Sequence, residues 1–306
     1  MADKVDGKGP DNTVFDAVCV PETRGQMEEP FTRLKARFDQ HPNGLNVHFI
    51  RNHGNFGDAL IRYGTERFFE DIGARVTKLD TMPFTRKAKY TLIAKCLQSH
   101  VPGPLRTHMV YSGSGGWYEA YSTAPTNAQL CSKFARDLLI LPTTYSGDFE
   151  RLENVDYWAR DQFESLEAMP HATFCHDMAF YLALVEPDRL LPNRMAPSRD
   201  LFVCLRVDVE KRFSGRVPQT NFDLSNSGKD NDDPQEFLRH IDQYERVITD
   251  RLHVAIGGAL LGKEVKLIGN SYFKIRAIFD SSIKGIFPRC QMISDEEAME
   301  LLANVE

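Results

Sequence analysis

Two residues in the last third of the chain could act on one substrate. Arg251 and His253 stand two apart in TDRLH, residues 249–253, where a strand-like run meets an apolar helical one. In the first turn of a helix, cations oppose the positive end of the dipole, an arrangement that makes sense where an anion shares the place. A guanidinium grips carboxylate or phosphate through two parallel hydrogen bonds, and an imidazole moves protons in both directions near neutral pH. An ion pair between Arg251 and Asp250 is the competing structural account. Arg206 ends a second strand-like run and would face the same place, with a surface salt bridge as its alternative. Lys274, two residues after Tyr272, can turn there or to solvent. His176 and Asp177, in FCHDMAF, follow a short strand, where Asp177 can equally cap a turn. Arg160 and Asp161, in WARDQFES, read as the start of a helix with Ser165 on its first turns.

Two glycine-bearing loops sit earlier. In NHGNFGD, residues 52–58, Gly54 and Gly57 let the chain turn into a helix whose first amides would suit an anion. Asn55 lies beside them, and Asp58 is placed to cap those amides. A plain strand-to-helix turn explains the same residues. SGSGGW, residues 112–117, follows another strand, and Gly115 and Gly116 allow a ligand or a second backbone to come close. It lacks the Gly-Lys-Ser/Thr of a phosphate loop, and a flexible turn accounts for it too.

These loops need strands to deliver them. Residues 45–50 alternate like a strand, and Ile61, Thr65, Phe68 and Ile72 share one face of a helix over 59–72. Further strands are expected at 108–112, 137–141, 155–159 and 172–175, with a helix over 161–168. A proline-rich linker at 187–197 leads to a buried strand at 201–207 and a long polar loop at 208–234. Strand 246–249, helix 251–261, strand 264–268 and helix 272–283 follow. Such alternation predicts parallel sheets with crossover helices. The chain divides into an arm (1–44), a first unit (45–186), a second unit (198–290) and a tail (291–306), with a cleft between the units.

Composition narrows the partners. The 306 residues are 42% hydrophobic and 26% charged, enough for two globular domains. A net charge of −6 without a basic block argues against nucleic acid as the main partner. No apolar stretch nears the roughly 20 residues of a membrane helix. The opening MADKVDGKGPDNT has no apolar core behind its charges, which speaks against a secretory signal and for a cytoplasmic location. Cys19, Cys96, Cys131, Cys175, Cys204 and Cys290 are scattered singly. That spacing predicts buried, inert thiols, not a zinc site or disulfide framework.

Several of these segments occur together in one family. GNFGD (54–58), SGSGG (112–116), LPTTYSG (141–147), WARDQFES (158–165), HDMAF (176–180) and TDRLH (249–253) stand in order over about two thirds of the chain. In this the chain resembles the polysaccharide pyruvyl transferase family, with GN-x-GD and DRLH the most specific elements. The resemblance implies an α/β fold of two facing Rossmann-like domains, similar to B-type (GT-B-like) glycosyltransferases, with an interdomain cleft. It implies an enzyme that moves a pyruvyl group from phosphoenolpyruvate to a sugar of a polysaccharide or lipid-linked oligosaccharide, as a ketal bridging two hydroxyls. Arg251 and His253 would then be catalytic, with Arg206, Asn55, Gly57, Asp58, Gly115, Gly116, His176 and Lys274 around the substrates. No step requires a metal or any cofactor beyond the donor substrate. Membrane contact would be peripheral at most, and a homo-oligomer is left open. The arm and the loop at 208–234 have no counterpart in the family pattern. A nucleotide-sugar-dependent glycosyltransferase on the same architecture is the alternative, and a non-catalytic glycan-binding protein the third reading.

Overall fold

The computed structural model of the protein describes residues 12–38, 44–79, 86–102, 106–118, 123–207, 213–303 and 305. Residues 1–11 and 39–43 of the expected arm and 208–212 of the expected polar loop lie outside them. Two short helices come first, α1 (Val14–Val18) and α2 (Arg24–Lys35). Then β1 (Leu45–Ile50), α3 (Asp58–Asp71), β2 (Ala74–Leu79), α4 (Arg86–Gln98) and β3 (Thr107–Tyr111) alternate. The chain continues through β4 (Trp117–Tyr118), α5 (Thr123–Phe134), β5 (Leu138–Thr143), β6 (Tyr145–Ser146), β7 (Val155–Ala159), α6 (Glu164–Ala168) and β8 (Thr173–Phe174). A 3-10 helix, Met178–Leu184, and α7 (Pro187–Leu190) lead on to β9 (Arg199–Cys204). Last come α8 (Pro234–Asp242), β10 (Tyr244–Thr249), α9 (Leu252–Leu260), β11 (Glu264–Ile268), α10 (Lys274–Ser282), β12 (Cys290–Ile293) and α11 (Asp295–Leu302).

Six strands form a parallel sheet in the order β2-β1-β3-β5-β7-β8. The expectation of an α/β fold built on parallel strands is met. β5, LLILPT, is buried at all six positions, as a central parallel strand covered on both faces must be. The chain runs outward from β1 to β2 and returns to the other side of β1 as β3. The strand order therefore reverses between β1 and β3, and in open α/β sheets a crevice opens outside the carboxyl ends of such a pair. A second parallel sheet has the order β12-β11-β10-β9. β12 and α11 lie in what reads from sequence as a tail, and α8 falls at the end of the expected polar loop.

One apolar cluster runs through both sheets, from Val47 and Phe49 of β1 to Val247 of β10 and Leu267 of β11. α3, α9 and the Met178–Leu184 helix fill its middle. Gly64 of α3 lies so close to the carbonyl of Met178 that a Cβ there would stand 1.8 Å from its oxygen, which leaves room only for glycine. Met27, Phe31 and Leu34, on one face of α2, are buried in this cluster, as are Val14 and Phe15 of α1. Over residues 12–38 the expected arm is thus part of the core. No described helix is long and apolar enough to cross a membrane. All six cysteines are free, five of them buried.

Candidate active site

The carboxyl ends of β1 and β3 bring the two glycine loops together. Ser112 N donates to the Ile50 carbonyl at 2.9 Å, and Asn52 Nδ2 donates to Ser114 Oγ at 2.6 Å. On the second sheet, β9 and β10 end in register at Cys204 and Thr249, so Arg206 and Arg251 leave side by side. Thr249 ties the ends, its Oγ1 donating to the Cys204 carbonyl at 2.6 Å and accepting from Arg251 N at 2.9 Å. Between these two edges lies a cavity of about 370 Å³. Its lining includes Asn52, His53, Gly54, Asn55, Asp58, Ser114, Gly115 and Gly116 from the first sheet's loops. Arg160 joins them after β7, and Arg206, Ser225, Arg251, Leu252, His253, Tyr272 and Lys274 close the other side.

Charge is arranged in two layers. Four cations, Arg160, Arg206, Arg251 and Lys274, line the cavity against one carboxylate, Asp58. Carboxylates stand behind three of the cations. Arg251 is 4% exposed and grips Asp223 through Nε, at 2.9 Å, and Nη2. Asp223 belongs to the polar segment after β9, so Arg251 does pair with an acid, as the competing account has it, but with one 28 residues away and not with Asp250. Asp250 instead accepts the amide of Arg206 at 2.8 Å, and burial raises its carboxyl to about 6. Arg160 donates through Nη1 to Asp177 Oδ2 at 2.6 Å and through Nε to Thr144 Oγ1 at 2.8 Å. Its Nη2 lies 3.3 Å from where a Cβ of Gly115 would stand, with Lys274 Nζ at 3.9 Å from the same point. Glycine at 115 therefore lets two cations converge. A buried guanidinium held on one edge by an acid is costly to move and well placed to bind an anion with its remaining donors.

His253 meets the cavity opposite the first loop. Its Nε2 faces Asp177 Oδ2 at 3.6 Å, just beyond hydrogen-bond distance. Nδ1 lies on the Gly57 side, 3.0 Å from where a Gly57 Cβ would be. Asp177 is fully buried. Burial alone would raise its pKa, but His253, Arg160 and the amide of Ala179 outweigh that and hold the carboxyl well below the usual carboxylate range. A permanent anion thus stands behind the imidazole.

Not every sequence expectation holds. Asp58 opens α3 without capping it, since its carboxylate turns back to accept the amide of Asn55 at 2.9 Å. The amides of Asp58, Ala59 and Leu60 bond to the carbonyls of Asn55, Phe56 and Gly57, and Gly57 N to Asn55 Oδ1. The start of α3 is therefore closed, and the loop supplies shape where amide donors were expected. The start of α9 is different: Arg251, at its N-cap, makes no side-chain cap. Gly57 does not line the cavity but packs against His253.

His176 is not at the cavity either. It is 1% exposed among Phe31, Phe174 and Phe180. Pro30 in the middle of α2 cannot donate to the carbonyl of Gln26, four residues back, and His176 Nε2 takes that carbonyl at 2.9 Å. This fixes the neutral tautomer, with Nδ1 accepting from Ser282 Oγ at 2.8 Å. Burial lowers its pKa to about 4. Its role is to satisfy a helix interrupted by proline.

Arg160 and Asp177 carry more of the site than their sequence context suggested, because adjacent strand ends put them in contact. His53 was missed as well. It lines the cavity with Nδ1 3.7 Å from Asp230, whose Oδ1 also accepts the Gly54 amide at 3.2 Å. An antiparallel bridge between Asn55 and Lys229 anchors the polar segment over the first loop. Among the described residues no cluster of His, Cys, Asp and Glu could hold a metal ion.

A family model described as polysaccharide pyruvyl transferase matches residues 55–272. The chain belongs to the polysaccharide pyruvyl transferase family. The match begins at Asn55 in the first cavity loop and ends at Tyr272 on its far wall, so Arg160, Asp177, Arg206, Arg251 and His253 of this family member all fall inside it. No curated protein matches the chain. Among solved structures, a functionally uncharacterised protein from Klebsiella pneumoniae is similar at 24% identity and a TM-score of 0.67. That similarity covers 87% of this chain and 98% of the other, and it speaks for the fold.

Proposed function

We propose that the protein transfers a pyruvyl group from phosphoenolpyruvate to a sugar of a polysaccharide or lipid-linked oligosaccharide, forming a pyruvate ketal. The observation that carries this reading is the convergence of Arg160, Arg206, Arg251 and Lys274 on the cavity that His253 lines. Phosphoenolpyruvate bears a phosphate and a carboxylate on three carbons, and each anion calls for guanidinium or ammonium donors. Protonation of its methylene carbon leaves oxocarbenium character at C2. One sugar hydroxyl adds there and loses its proton, the C–O bond to phosphate breaks, and a second hydroxyl attacks C2 to close the ketal. Of the two hydroxyl protons, one balances the new methyl group and the other leaves with phosphate. His253, backed by Asp177, is the group that gives and takes these protons. On this reading Arg251 and His253 are catalytic and phosphoenolpyruvate is the only co-substrate.

We read the two sheets as the facing Rossmann-like halves of a GT-B-like arrangement, with units near 45–186 and 198–290, acting in the cytoplasm. Labelled phosphoenolpyruvate and a panel of hexose glycans test the function. The reading predicts acceptor-dependent phosphate release and label in the glycan. A nucleotide sugar that raises the melting temperature where phosphoenolpyruvate does not, without phosphate release, would favour a glycosyltransferase.

A further inference from the structure

α4 carries an exposed apolar stripe inside a stretch of chain that holds no acid. From Thr81 to Tyr118 the sequence has Arg86, Lys87, Lys89, Lys95 and Arg106 but neither Asp nor Glu, although the whole chain carries 43 acids. The stretch is therefore +5 within a chain of −6, a local excess that the overall composition conceals. Leu92 and Cys96 anchor α4 to the first sheet's outer core. Its other face is uncovered among the described residues: Tyr90 is 64% exposed and Leu97 54%, and with exposed Ala94 between them they recur at steps of four and three, while Val101, 40% exposed, follows just beyond the helix. At helical spacing Lys87 flanks this stripe on one side, and Arg86 and Lys89 on the other, all three exposed.

We propose that this face of α4 docks on an anionic lipid surface. A convex stripe of tyrosine, leucine and valine can enter the headgroup–acyl boundary, while the flanking cations reach to lipid phosphates. Each cation near such a surface contributes about fivefold to partitioning. Charge complementarity favours an anionic layer as the occupant: the cations beside the stripe have no acid among them from Thr81 to Tyr118, and their long side chains can reach many equivalent phosphates. As the crossover from β2 to β3, α4 begins at the carboxyl edge of the sheet. The cavity loops lie on that edge, so docking would bring the cavity toward lipid. The proposal does not depend on the chemistry of the cavity.

Co-sedimentation of the full chain with phosphatidylcholine vesicles, with and without phosphatidylglycerol, tests it. Binding should require the anionic lipid and weaken with salt. Lys87→Glu with Lys89→Glu should lower it by about 25-fold or more, and Tyr90→Ser with Leu97→Ser should lower it comparably, both with the melting temperature kept. None of these residues lines the cavity, so turnover on a water-soluble acceptor should not change. No binding, equal binding to neutral vesicles, or binding untouched by both variants would overturn the proposal. So would a dimer that dissociates in the Tyr90→Ser, Leu97→Ser variant, since a second copy would then be the occupant.

Discussion

Asp177 Oδ2 faces His253 Nε2 at 3.6 Å while accepting Arg160 Nη1 at 2.6 Å. One buried carboxylate therefore orients the imidazole and pins a guanidinium that lines the same cavity. The two partners come from opposite sheets, one after β7 and one at the start of α9. Their alignment rests on the core that joins α3, α9 and the Met178–Leu184 helix.

Asp177→Asn keeps an acceptor for Arg160 but removes the charge behind His253. Turnover should fall by about 100-fold, with a smaller change in the KM for the donor, as steady-state phosphate release would show. Stability should change in a pH-dependent way too. The native carboxyl titrates below its ordinary value, so its contribution is present above that value and lost as pH falls through the depressed one.

Gly57→Ala separates stability from activity. Gly57 has helical backbone angles, φ −62° and ψ −32°, which alanine adopts readily. Its Cβ would, however, stand 3.0 Å from both Cβ and Nδ1 of His253 and 3.1 Å from Asn55 Oδ1. The imidazole must give way by a few tenths of an ångström, and since a misplacement of about 1 Å costs about 100-fold in rate, a loss of about three- to tenfold is expected. The melting temperature should stay within a few degrees of the wild type while kcat drops; an unchanged kcat would show that the imidazole position is not critical.

His176→Phe should change how stability depends on pH without reaching the cavity. The native imidazole, with its pKa lowered to about 4, stays neutral where the unfolded one, near 6.5, gains a proton. The unfolded chain thus binds more protons between those values, and the wild type loses stability as pH falls through the window, by on the order of 3 kcal/mol. Asp250, raised to about 6, tilts stability the other way over much of the same range. The readout is therefore the difference between variant and wild type. At pH 7 the variant should be the less stable by about 1–3 kcal/mol, because the Gln26 carbonyl loses its donor. That gap should shrink toward pH 4.5 in chemical denaturation; a constant gap would contradict a neutral buried His176.

The strands and loops of the site were legible because periodicity and glycine placement are local signals. β1, β7 and β11 lie where alternation and buried runs put them. α8 was hidden by the polar residues before Pro234, and β12 by its position near the chain end. At the site, TDRLH pointed correctly to the cavity wall. FCHDMAF points to the right turn, and Asp177 caps it through the Ala179 amide, as the competing account has it; sequence cannot say that Pro30 orphans a carbonyl and draws His176 away, leaving Asp177 to face Arg160 and His253 as well. Asp223 and Asp230 were invisible for a related reason: their partners lie far off in sequence, and a polar segment gives no periodicity from which to infer contact.

The central claim is that a small donor with two anionic groups rests among these cations, and direct calorimetric titration with phosphoenolpyruvate tests it best. The account predicts one site per chain in the wild type and at least about tenfold weaker binding in Arg251→Lys, which keeps the charge but loses the planar fork. Absence of binding to the wild type, or equal affinity in the two proteins, would contradict it.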